Sequence, residues 1–372
     1  MNEQEKSEIT HNRFVAIDLF KILSMLMVVV LHVLGAGGIN GSVSVKSANW
    51  YLFGGFETIC IVAVNCFALT TGFIYVGKKI RIKNIFNLYL QVLFYSIVIA
   101  SICFIFKLSD FSVRELINYL FPILSGRYWY FSAYFVLFLI MPLLNLVLEK
   151  MDKNFLFVFL IGMVVFFGVF AFYGSIEFGD VFKISSGCSF EWLAICYLIG
   201  GAVRKYQLFN LFKARVWLLL YFLSTVLSFC VGLLLFALGK FKISPFVGHY
   251  NFVFNILSSI FLLMFFARFD IKSNKFVSYL AKTTFGVYLF HEHILLKNLV
   301  IIGQFAFIAK FSPFVAIVAV LGCVLLIYIV GTIVETFRQI IFKALRLNKL
   351  SQKIDDLVVK KYNNLIDKTT KI

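Results

Sequence analysis

The stretch KILSMLMVVVLH, residues 21–32, opens on a lysine, closes on a histidine and holds almost nothing but apolar side chains between them. On a helix the step from Lys21 to His32 is close to three whole turns and about 16 Å of rise, so both side chains lie on one face. Asp18 stands one turn before Lys21 and can pair with it. A lysine at a membrane boundary either snorkels to water or holds an anion. A histidine titrates near neutrality and can take a proton from a hydroxyl, or simply donate to a neighbouring carbonyl. Inside a membrane an ionisable side chain costs enough to be a functional candidate by default.

Composition identifies the scaffold that must position these groups. Of 372 residues, 61% are hydrophobic, 18% aromatic and only 14% charged, against roughly 25% charged in soluble domains. Apolar blocks of roughly 20 residues, the length that crosses hydrocarbon as a helix, predict an all-α, polytopic integral membrane bundle of about ten transmembrane helices. The blocks lie near 16–36, 52–76, 85–106, 128–148, 154–174, 188–203, 216–238, 250–267, 284–309 and 313–337. With the N-terminus cytoplasmic, the inner loops carry Lys78, Lys79, Arg81 and Lys83, then Lys150 and Lys153, then Arg204, Lys205, Lys213 and Arg215, then Arg268, Lys272, Lys275 and Lys282. The outer loops are sparser, as the positive-inside rule requires. The net charge of +17 is thus a matter of topology and anionic headgroups, not of nucleic-acid binding.

One membrane domain, residues 1–345, precedes a polar cytoplasmic tail, residues 346–372, so both termini are expected inside. Leu350, Ile354, Leu357 and Val358 recur at helical spacing in that tail, which reads as an amphipathic helix on the membrane surface or as a frayed end. The seven cysteines show no metal-ligand spacing and read as small buried apolar residues.

RFVAIDLFKILSMLMVVVLH resembles the first span of the membrane-bound acyltransferase-3 family, whose hallmark is a basic residue, ten intervening residues and a histidine. NCFALTTGFIYVGKKIR (65–81) is similar to the end of that family's second span: Phe67, Gly72 and Phe73 fit, with Thr71 for the usual Ser and Ala68 for one Phe. YWYFSAYFVLFLIMPLLN (128–145), SFEWLAICYLIGGAVRKY (189–206) and TTFGVYLFHEHILL (283–296) resemble three further family segments in the same order, the last carrying Gly-x-Tyr-Leu-x-His. The likeness runs from residue 13 to about 340 and is greatest to bacterial polysaccharide O-acetyltransferases.

The resemblance implies acyl transfer from cytosolic acyl-CoA, usually acetyl-CoA, to a sugar hydroxyl. His32 would deprotonate the attacking hydroxyl or itself accept the acyl group. Lys21 would orient the donor at the inner mouth. Lys79 and Arg81 would meet the phosphate-rich end of CoA, although basic residues are expected there on topology alone. A ninth span starting near Thr284 puts His291 about 10 Å in, lining the donor tunnel or closing a hydrogen-bond network. His291 and His293, two apart, face different ways on a helix and make a poor zinc pair, so no metal is expected.

Trp129, Tyr130, Tyr134 and Trp192 suit an interfacial belt, with Trp129 the preferred sugar contact. Glu191 would hold a sugar hydroxyl or pair with Lys183 or Arg127. The expected partners are acyl-CoA, a glycan or lipid-linked sugar and membrane lipids, with a homo-oligomer compatible, in a bacterial cytoplasmic membrane. A transporter or flippase of lipid-linked sugars would also use ten spans with embedded His, Glu and Lys.

Overall fold

The computed structural model describes residues 3–110, 112–240, 248–269, 271–272 and 274–369, so the last three residues of the tail lie outside it. The principal helices are α1 (Glu3–Leu34), α2 (Ala48–Cys60), α3 (Ala63–Tyr75), α4 (Ile82–Ile105), α5 (Trp129–Lys150) and α6 (Lys153–Val165). They continue with α7 (Phe190–Lys205), α8 (Ala214–Ala237), α9 (Val253–Arg268), α10 (Lys275–His291), α11 (Pro313–Ala344) and α12 (Leu347–Thr369). Seven helical segments are long and apolar enough to cross a membrane, with α2 and α3 forming one broken span and α6 running on through a π-helical turn to Glu177. The shorter α7, α9 and α10 occupy the sixth, eighth and ninth expected positions, so the fold is the polytopic all-α bundle that hydropathy predicts.

From Val15 onward α1 is apolar around its circumference, the pattern of a helix buried on every side. Val15, Ala16, Phe20, Val29 and Val33 are all inaccessible, and α1 packs against α2, α3, α9, α10 and α11. The helix bearing Lys21 and His32 is therefore the bundle's axis.

Lipid tails are as apolar as leucine, so helices in a membrane associate through close packing of small residues. A Cβ at Gly72 would strike the Tyr197 carbonyl, and one at Gly200 would strike the Leu69 carbonyl. The glycines of the second and fourth resembling segments are thus the two sides of one backbone-to-backbone contact between α3 and α7.

Gly286 has a different task. It leaves room for the carboxylate of Glu335, which is fully buried on α11. That carboxylate accepts from Gln91 Nε2 (3.1 Å), Tyr95 Oη (2.9 Å), Gln339 Nε2 (2.9 Å) and both edges of Arg338 (2.8 and 2.6 Å). A buried charge survives only when it is paired and hydrogen-bonded, and this one ties α4, α10 and α11 together. Gly286→Ala would drive a methyl group into it. The expected loss is about 1–3 kcal/mol of stability, read as a lower unfolding temperature of the detergent-solubilised protein.

Two expectations about the ends of the bundle change. α10 starts at Lys275, not near Thr284, because Asn274 caps it: Oδ1 accepts from the backbone of Phe276 (2.8 Å) and Val277 (3.3 Å). Lys282 is an exposed residue on the helix rather than the loop marker it resembled. The tail is helical rather than frayed. α12 turns Ser351 and Asp355 inward and leaves Leu350, Leu357 and Val358 exposed.

Candidate active site

The α1 residues Lys21, Met25, Val28 and His32, spaced 4, 3 and 4, line one cavity of about 300 Å³. α3 contributes Phe67, Thr70 and Thr71; α5 contributes Trp129, Tyr130 and Tyr134; α10 contributes Thr284, Phe285 and Tyr288. The stripe read from the sequence is therefore the wall of a single passage, with the cation and the imidazole about three turns apart along it. Lys21 pairs with Asp18 at 3.1 Å, as spacing predicts.

The Lys21 end concentrates positive charge. Burial first, then the nearby Arg204 and Lys21, hold the Lys78 ammonium below its ordinary value. Arg204 also donates to the Phe73 carbonyl (3.2 Å) at the end of α3. Arg81, in contrast, is engaged elsewhere: Nε lies 3.0 Å and Nη2 2.9 Å from Asp355 Oδ2 on α12. Neither Arg81 nor Lys79 lines the cavity, and Lys79 is exposed.

His291 corrects the depth expected of it. As the last residue of an α10 that begins at Lys275, it lies about 24 Å along the helix, beside His32 rather than toward Lys21. His32 Nδ1 is 2.8 Å from His291 Nε2 and 3.2 Å from Glu292 Oε1. His291 Nδ1 is 2.6 Å from the Val287 carbonyl. A carbonyl only accepts, so His291 carries its proton on Nδ1 and, in its neutral form, presents a lone pair at Nε2. His32 must then donate from Nδ1. What remains is His32 Nε2 with its lone pair, making no hydrogen bond among the described residues, on a ring 23% exposed. Glu292 is placed to balance charge if that ring becomes an imidazolium, and Lys297 holds the carboxylate at 2.8 Å (Oε1) and 3.0 Å (Oε2).

His293 faces another way, as residues two apart must. Its Nε2 meets the Ser96 carbonyl at 3.2 Å and its ring stacks on Tyr119. His32, His291 and Glu292 do offer three ligand atoms within 4.8 Å of one another. Two of these groups are engaged within the protein, His32 Nδ1 with His291 Nε2 at 2.8 Å and the Glu292 carboxylate with the Lys297 ammonium at 2.8 Å.

The aromatic residues divide. Trp129, Tyr130 and Tyr134 line the cavity instead of forming an interfacial belt, and Trp129 stacks on Tyr250 (centroids 6.2 Å, 18°). Trp192 is buried apart from it and donates to Asn65 Oδ1 at 2.9 Å. Glu191 is exposed in the first turn of α7 and does not line the cavity, while Arg127 pairs with Glu115. Sequence reasoning passed over Glu292 as a partner of His32. The signal was its place in the HEH run, but only the true end of α10 turns that run toward α1.

The profile of a family described as an acyltransferase domain matches residues 14–334, which takes in every cavity-lining residue named above. Neither a curated protein nor a solved structure matches the chain.

Proposed function

Since this chain belongs to the acyltransferase-3 family, we propose that it transfers an acyl group, with acetyl-CoA as donor, to a hydroxyl of a cell-surface or lipid-linked polysaccharide at a bacterial cytoplasmic membrane. The observation that carries this reading is the single cavity joining Lys21 to an imidazole whose Nε2 makes no hydrogen bond among the described residues. The passage is comparable in length to an extended pantetheine arm. Lys21, Lys78 and Arg204 at the cytoplasmic end suit the donor's phosphates, with Lys79 beside them at the surface. His32 Nε2 then acts as general base at the far end.

The acceptor hydroxyl loses its proton to His32 Nε2 as its oxygen attacks the thioester carbon. The imidazolium that forms is stabilised by Glu292, and His291 fixes the tautomer. Collapse of the tetrahedral species breaks the C–S bond, and the departing thiolate takes the proton back from Nε2. Glu292 and His291 are positioning residues in this scheme; His32 is the catalytic one. Trp129, stacked on Tyr250, offers an aromatic face for a sugar ring. Glu191 does not line this cavity.

Proteoliposomes supplied with acetyl-CoA test the reading directly. Release of free CoA thiol that depends on added surface-glycan extract is the expected result. Translocation of glycan without any thiol release would replace the enzyme with a flippase. Because His32 acts here as a base positioned by His291 and Glu292, incubation with EDTA or 1,10-phenanthroline is expected to leave the rate unchanged; loss of activity restored by zinc would reverse that assignment.

A further inference from the structure

Acyl transfer also needs a hydrogen-bond donor for the carbonyl oxygen, which gains charge as the tetrahedral species forms. Of the three threonine hydroxyls lining the cavity, Thr71 Oγ1 donates to the Phe67 carbonyl (2.9 Å) and Thr284 Oγ1 to the Ala281 carbonyl (3.0 Å). Two other hydroxyls of the lining are enclosed and unpaired. Thr70 Oγ1 and Tyr288 Oη are buried without a hydrogen-bond partner among the described residues, on side chains only 3% and 6% exposed. A polar atom buried unpaired in a folded protein calls for an explanation, and in a cavity wall the explanation is a ligand.

We propose that the Tyr288 hydroxyl holds the thioester carbonyl oxygen of the bound acyl donor. The inference rests on the acyl-CoA reading above and names the residue that completes its site. Position favours Tyr288 over Thr70. It sits one turn before His291 on α10, the two rings meeting edge-on with centroids 6.2 Å apart, and His291 is bonded to His32. Tyr288 and His32 line the same cavity, so a carbonyl whose carbon is attacked beside His32 can turn its oxygen toward this wall.

Three aromatic contacts fix the ring: Phe285 stacks on it (6.1 Å, 21°), and Tyr128 and Tyr130 flank it, each at 6.1 Å. What the hydroxyl lacks is an acceptor for its own proton. As the acceptor hydroxyl attacks, the C=O π pair moves onto the oxygen facing Tyr288. When the C=O re-forms, the pair returns and the C–S bond breaks. Tyr288 donates a hydrogen bond throughout and keeps its proton.

The test needs no glycan. Two non-transferable CoA analogues are compared: the methyl ketone with a methylene in place of sulfur, and the same chain with the carbonyl replaced by a methylene. Binding of each is measured to the full-length protein in nanodiscs, for wild type, Tyr288→Phe and Thr70→Val. The expected result is that the ketone's advantage over the methylene analogue falls about tenfold in Tyr288→Phe. Thr70→Val is expected to keep that advantage. An unchanged ratio in Tyr288→Phe, or an equal fall in Thr70→Val, overturns the assignment while leaving the donor reading in place. Failure of wild type to bind either analogue overturns the donor reading instead.

If Tyr288→Phe does not fold, the infrared band of the ¹³C-labelled ketone on wild type decides. A band shifted below its frequency in apolar solvent is expected. One at the apolar-solvent frequency overturns the proposal.

Discussion

His32→Ala is expected to lower the rate of acyl transfer by about a thousandfold, within the range that a well-placed general base contributes, while leaving donor affinity nearly unchanged. The separation along α1 is the reason. Lys21 lines the other end of the cavity, and under the proposed function it would hold the donor's phosphates, so removing the imidazole takes away proton transfer without touching the groups that bind. The substitution also keeps the fold. His32 is partly exposed to the cavity and its loss leaves His291 bonded to the Val287 carbonyl. Isothermal titration with the methyl-ketone analogue, beside the thiol-release rate, separates the two effects; a fall in binding as large as the fall in rate would make His32 a structural residue.

Glu292→Gln is expected to lower kcat by about a hundredfold or more and to leave KM for the donor within a factor of a few. The carboxylate lies 3.2 Å from His32 Nδ1, the place where an acid beside a catalytic histidine fixes the tautomer and stabilises the imidazolium. A glutamine amide keeps the size and loses the charge. It can also turn its NH₂ toward Nδ1, which reverses the tautomer and protonates the nitrogen that must act as base. A steady-state analysis checks this. If Glu292 serves only to anchor Lys297, then Lys297→Met should depress kcat as strongly as Glu292→Gln; a Glu292 that steadies the His32 imidazolium instead predicts a milder effect for Lys297→Met.

The inner wall of the site was legible because it depends on one helix. Lys21, Met25, Val28 and His32 need only the helical period to share a face, and no later packing can separate them. The polytopic helical bundle was legible for the same reason, since hydrocarbon thickness sets the length of each apolar block; about ten spans were expected, and seven helical segments are long and apolar enough to cross, with one shorter apolar helix beside them. His291 was misplaced by a boundary. A lone Lys282 looked like the edge of the membrane, whereas Asn274 starts the helix two turns earlier and carries His291 to the far end.

The remaining features are long-range pairings that periodicity does not encode. Arg81 meets Asp355 across most of the chain length, and Glu335 collects Gln91 and Tyr95 from α4. Tyr130 and Tyr134 looked like belt residues because their amphipathic rings suit an interface and a cavity wall equally well. Glycines 72, 200 and 286 were visible as parts of motifs. Their reason, two carbonyls and a carboxylate lying where a Cβ would stand, belongs to the packed bundle alone.

The most direct measurement is the ester-linked acyl content of surface glycan from cells that lack this chain and are complemented with either wild type or His32→Ala, with membrane levels of the two proteins matched. Alkali-labile acetate restored by wild type and absent with His32→Ala is the predicted result. Equal restoration by both would remove the imidazole from the chemistry and, with it, the account of this cavity as an acyl-transfer site.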